Sequence, residues 1–146
     1  MQYTISETSM GNRPNVSLPN PIILATLKEE GMRNLISRHY DLLVESKIKD
    51  LFPENEQSLA MAKKHSADFF IQICGGPKYF NESRGAPRMV ARHMPFKITP
   101  SARVVWLEMF AKAIEETNLS EEEKKSFWDY VDIFSIWMIN TPEPIN

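Results

Sequence analysis

Apolar side chains recur at helical spacing through most of this chain and almost nowhere at the two-residue alternation of a strand. Met32, Ile36, Tyr40 and Leu43 fall on one stripe of a helix running from about Met32 to Ser46. A shorter helix over 22–29 precedes it and is predicted to stop at Gly31. Between about Glu56 and Ile73, the residues Leu59, Ala62, Ser66, Phe69, Phe70 and Ile73 share a face that is small in its middle and aromatic at its end. Small residues on a buried face imply either close approach of a second helix or space for a bound group. Thr99 and Pro100 predict the N-cap and first residue of a helix to about Glu116, with Trp106, Met109, Phe110 and Ala113 on one face. The last helix opens on a capping box, Ser120 to Glu123, buries Phe127, Val131, Phe134 and Met138, and ends near Asn140. The pattern predicts an all-α fold over 21–141. Residues 1–20 show no sustained period and are expected as a flexible, loosely packed N-terminal extension, with 142–146 as a tail.

The segment after Cys74 breaks the helical pattern. Gly75, Gly76 and Pro77 interrupt the chain, and a polar loop leads to a short helix around His93. Pro87 fits a first helical position and Pro95 ends the helix, with Met89 one turn before His93 on the same face and Phe96 just beyond the stop. A lone imidazole framed by apolar side chains is a candidate axial ligand for a metal-bearing macrocycle, and Arg92 supplies a cation for carboxylate arms. A helix cap or a surface position is the alternative.

Composition narrows the classes. A length of 146 residues suits one domain, and a net charge of −2 without a basic, aromatic-laced cluster argues against a nucleic-acid partner. No apolar run reaches membrane length and the N-terminus has no signal-peptide character, so a soluble cytoplasmic protein is expected. The single cysteine, Cys74, excludes an internal disulfide. The eight phenylalanines, eight methionines, four tyrosines and three tryptophans suit either a helical core or a flat aromatic cofactor.

Six short motifs, taken together, resemble the truncated hemoglobins of the second group across residues 22–140. They are SRHY at Ser37–Tyr40, LFPE at Leu51–Glu54, GGP at Gly75–Pro77, RG-x-PR at Arg84–Arg88, ARH-x-PF at Ala91–Phe96, and Trp106. The resemblance implies a truncated globin fold, a two-over-two helical sandwich, holding heme b (iron protoporphyrin IX). It implies that His93 is the proximal iron ligand, that Arg92 pairs with a heme propionate, and that Phe52 packs on the ring. Tyr40 and Trp106 correspond to distal donors and Ala62 to the residue at the distal gate. Ser66, also distal, stands where the family more often carries a larger side chain. Met89, Phe69, Phe96, Phe110 and Trp106 are expected to contact the cofactor as well. His65, at the edge of the Ala62–Ser66 helix, could be exposed, pair with a propionate, or act as a sixth ligand. His39 is rotated off the Tyr40 stripe and is expected to pack or to hydrogen-bond another helix.

The same resemblance implies binding of dioxygen and other diatomic gases, nitric oxide and carbon monoxide among them. Two donors fixed in a low-dielectric pocket imply tight retention rather than ready release. No catalytic residue is assigned. Nitric oxide detoxification and peroxidase-like turnover are the candidate redox activities, with a reductase as a possible partner; a heme-based sensor or redox partner without turnover is the alternative. A monomer and a homodimer are both compatible with the sequence.

Overall fold

The structure, a computed structural model, describes residues 1–144, and among these every regular element is a helix. The first, α1 (Ile22–Leu43), is broken at Lys28, whose backbone turns to φ 62° and ψ 172°. The predicted boundary at Gly31 is therefore corrected to Lys28. Gly31 lies inside the second segment, where a Cβ would sit 3.1 Å from the Leu27 Cβ. The glycine thus serves close packing of the two segments rather than the turn between them. A left-handed lysine costs about 1–3 kcal/mol, set against burial of Ile23 and Leu27 on the far side of the break.

A 3₁₀ turn at Lys49–Leu51 leads to α2 (Glu56–Ile73), which Asn55 caps by accepting the Ser58 N–H at 3.0 Å. Then come α3 (Tyr79–Arg84), α4 (Met89–His93), α5 (Pro100–Glu115) and α6 (Glu121–Met138). Thr99 caps α5 through the Ala102 N–H at 3.1 Å, and the Ser120–Glu123 box closes the start of α6 in both directions. Helix α3 occupies the stretch read from sequence as a polar loop. Its exposed Asn81 and Glu82 conceal one deeply buried side chain, Phe80. Helix α4 starts at Met89 and not at Pro87, because Arg88 adopts a left-handed conformation (φ 45°, ψ 50°) between them.

Helices α1 and α2 form one packed pair and α5 and α6 the other, joined mainly through α1 against α5. This is the two-over-two sandwich. Its centre is aromatic: the Phe70 ring lies 5.7 Å from Phe110, edge-on, and 5.5 Å from Phe127. His39 of α1 enters the same centre, stacking on Phe110 at 3.7 Å while its Nε2 donates to the Trp106 carbonyl at 3.0 Å. The imidazole is thereby a bolt between α1 and α5.

Residues 1–20 contain no helix and are mostly exposed. They lie along α6, where the Trp128 indole N–H donates to the Thr4 carbonyl at 2.9 Å and the Trp137 N–H to the Pro14 carbonyl at 2.7 Å. A non-repeating segment leaves no periodic trace in sequence, but its backbone polar groups find partners in side chains of the helix beneath. In the tail, Glu143 accepts from the backbone and hydroxyl of Ser101 at the head of α5; residues 145 and 146 lie outside the described residues.

Two outcomes are expected. A Cβ at Gly76 would meet Leu24 Cδ2 and Ile71 Cγ2 at 2.7 Å and the Ile71 carbonyl at 2.8 Å. Gly76→Ala should therefore cost about 1–3 kcal/mol in urea unfolding, and an unchanged midpoint would contradict the packing described. Burial holds the His39 ring neutral, pushing its pKa down to about 3 against the smaller opposing influence of the Trp106 bond. The unfolded chain protonates this ring below about pH 6.5. Its contribution to stability is therefore full above that pH and declines as pH falls toward 3, by about 1.4 kcal/mol per unit. His39→Gln keeps a donor for Trp106 and should flatten the stability profile between about pH 6 and 4 in urea titrations.

Candidate functional site

Between the two helical pairs lies a cavity of about 540 Å³, reached by side chains from every helix. Its one wall is built by α4. Five residues are too few to hold a helix by themselves, and the contacts that hold α4 are specific. Arg92 Nε donates to the Pro87 carbonyl at 2.6 Å, and one terminal nitrogen donates to Arg84 at 2.8 Å and Ala86 at 3.2 Å, so the guanidinium gathers the preceding loop. The same guanidinium lies 5.2 Å over the Phe80 ring. Beyond the helix, Asn140 donates to the carbonyls of His93 at 3.1 Å and Phe96 at 2.9 Å, and accepts from the Ile98 N–H at 2.9 Å.

Held in this way, His93 Nδ1 donates to the Met89 carbonyl at 2.6 Å. A carbonyl can only accept, so Nδ1 carries the proton and Nε2 of the neutral ring keeps its lone pair. Burial favours that neutral form, lowering the His93 pKa by more than the Met89 bond raises it. A buried, oriented imidazole with a free Nε2 is a metal-ligand arrangement.

The opposite wall comes from α1, α2 and α5. Tyr40 meets Phe52 edge-on at 5.6 Å, and Trp106 lies against His39 at 5.1 Å. Burial pushes the Tyr40 pKa upward, with Ser66 opposing it to a lesser degree, so the phenol keeps its proton. Ala62 and Ser66 line this wall from α2. The small residues on α2 thus face a cavity, which answers the alternative left open by their spacing.

Of the residues singled out from sequence, Tyr40, Phe52, Ala62, Ser66 and Phe69 line the cavity, as do Met89, Arg92, His93, Phe96 and Trp106. Phe96 stands at the rim, 46% exposed. Phe110 is the correction: it lies one layer behind the wall, fully buried between His39 and Phe127. It shares a helix face with Trp106, but the turn of helix between them carries it past the cavity and into the core. Phe80, Ile98 and Arg103 also line the cavity and were not anticipated. Phe80 is a single aromatic in a polar stretch, Ile98 sits in a loop, and Arg103 is a charged residue whose burial depends on partners far away in sequence.

The site's chemistry suits a flat, apolar macrocycle with anionic arms. Rings of Phe52, Phe69, Phe80 and Phe134 offer apolar faces, and His93 offers one axial nitrogen. Arg84, Arg92 and His65 bring cationic or hydrogen-bonding groups to the same cavity. His65 Nδ1 is buried with no hydrogen-bond partner among the described residues, and burial together with the charges of Arg84 and Lys64 lowers the pKa of its ring. An orphaned nitrogen that shares a cavity with two guanidinium groups is a place for a carboxylate.

Comparison with known proteins agrees with this geometry. The bacterial-like globin family matches residues 27–140. A group 2 truncated hemoglobin of Bacillus subtilis strain 168 is 28% identical over 116 residues, covering 79% of this chain and 86% of the relative. Among solved structures, phosphate-bound Hell's gate globin IV superposes with a TM-score of 0.87 at 34% identity, over 97% of this chain and 89% of that one. A truncated oxygen-avid haemoglobin from Bacillus subtilis superposes with a TM-score of 0.75 at 25% identity, over 81% of this chain and 98% of that one. The chain belongs to the bacterial-like globin family, resembles its group II truncated hemoglobins, and takes heme b as its cofactor.

Proposed function

We propose that this globin holds heme through His93 and retains dioxygen between Tyr40 and Trp106, with no residue acting as acid or base on the ligand. Heme-based binding of diatomic gases comes with the family; the two donors opposite His93 support retention. The observation that carries it is the His93–Met89 bond at 2.6 Å, which leaves Nε2 free on one wall while two donors line the other. When bound, heme iron supplies reversible coordination of a diatomic gas.

The protein's own part is orientation and charge. The Met89 carbonyl fixes the tautomer and rotation of His93 and makes Nε2 a better donor of electron density. Trp128 and Trp137 spend their indole N–H groups on backbone carbonyls of residues 4 and 14, whereas Trp106 lines the cavity. Its N–H and the Tyr40 O–H would stabilise negative charge developing on a captured ligand, at about 1.5–3 kcal/mol for each bond to a charged group. Aromatic walls exclude water and strengthen both bonds. The similar haemoglobin from Bacillus subtilis is oxygen-avid, and these two donors support the same property in this chain.

Nitric oxide dioxygenation and peroxidase-like turnover are further reactions such a site could support, the first needing a reductant to return ferric iron to the ferrous state and the second a reducing co-substrate for peroxide. Turnover assays with a reductase present distinguish them from gas binding or sensing alone.

Reconstitution with hemin should give a strong Soret band that His93→Ala loses, while Trp106→Phe should keep heme and release dioxygen about ten- to a hundredfold faster in stopped-flow displacement by carbon monoxide. A wild-type protein that fails to retain heme would sink the reading. An unchanged off-rate in Trp106→Phe would remove the indole from the ligand site.

A further inference from the structure

The N-terminal segment and the His93 turn never touch in the contacts described above, yet both are gripped by α6. Residues 4–14 run beside α6 in its own direction: Thr4 meets Trp128, Ser6 meets Asp132, and Arg13 and Pro14 meet Trp137. A turn at Gly11, with φ 90°, takes up the slack between the last two contacts. Ser6 is the central one. Its N–H and O–H donate to the Asp132 carboxylate at 3.1 and 2.6 Å, and its carbonyl accepts from Arg103 at 2.9 Å.

Arg103 and Asp132 form a buried ion pair, with the guanidinium also donating to the Ser135 hydroxyl and the Asp132 carbonyl. Arg103 and Ser135 line the cavity. A buried pair is stable only when its remaining donors and acceptors are matched, and Ser6 matches three of them. Past the end of α6, Asn140 in turn holds the carbonyls of His93 and Phe96.

We propose that the N-terminal segment is a strap that positions His93, acting through Ser6, the Arg103–Asp132 pair and α6. Losing the strap leaves a guanidinium N–H and a carboxylate oxygen unpaired in the interior. The pair then relaxes toward water, α6 shifts with it, and the Asn140 clamp on His93 loosens. Tyr40 and Trp106, on α1 and α5, are held instead by Phe52 and His39. The proposal rests on His93 being the heme ligand, and it makes Ser6 a positioning residue acting from outside the cavity.

The test uses the full chain, Ser6→Ala, and a variant lacking residues 2–14. Thr26→Ala is the control, because Thr26 bonds Glu123 at the opposite end of α6. In ferrous protein, resonance Raman should show a lowered iron–histidine stretching frequency in both strap variants. Heme transfer to an excess of an apo-globin acceptor should be about fivefold faster in Ser6→Ala and faster still in the deletion. Dioxygen release should change by less than about twofold, and Thr26→Ala should alter none of these. Unchanged heme transfer and stretching frequency in the strap variants, or equal changes in Thr26→Ala, would overturn the strap. If the wild type takes up no heme, the ligand reading itself fails, and hydrogen exchange in the heme-free protein decides the coupling. Faster exchange over 93–98 in Ser6→Ala supports it; unchanged exchange refutes it.

Discussion

The buried pair between Arg103 and Asp132 is the interaction on which the α5–α6 layer depends. Both side chains are buried, so removing one partner would strand the other at a cost of about 3–5 kcal/mol. A pair of this kind contributes little stability over a well-packed apolar contact. Its effect is specificity of position, since guanidinium and carboxylate accept only one arrangement of neighbours. Ser135 fixes it from within α6, Ser6 fixes it from the N-terminal segment, and the cavity wall inherits the resulting geometry.

Two imidazoles show how the same bond leads to different ends. His93 and His39 are both kept neutral by burial, and each donates one ring nitrogen to a backbone carbonyl. His93 commits Nδ1, which leaves Nε2 for the cavity. His39 commits Nε2 to Trp106 and lies flat on Phe110, so its ring stabilises the α1–α5 contact and steadies the distal wall. Which nitrogen meets the carbonyl separates ligand from bolt.

The legible parts of the structure are those with local causes. The cap at Thr99, the proline at position 100 and the Ser120–Glu123 box need only neighbouring residues to act, and their helices begin where the pattern places them. The stripes carrying Tyr40, Ala62, Ser66 and Trp106 were legible because helical period alone aligns them, and all four reach the cavity. The resemblance to a known family named the roles that spacing could not. Phe110 shares that period with Trp106, but period does not measure depth, and the structure places it behind the wall.

By itself, the sequence determined the helices other than α3, their order, the single histidine bracketed by prolines and the family to which these belong, because capping, periodicity and short motifs act over a few residues. Tertiary structure alone decided where α1 breaks, since a left-handed Lys28 is tolerated only when packing on both sides holds it. It alone decided that Arg92 gathers its own loop, and that Ser6 meets a pair formed by residues 103 and 132. The Ser6 contacts join residues 97 and 126 positions apart, the Arg92 contacts depend on how a short loop is folded, and the geometry of both exists only once the helices have packed.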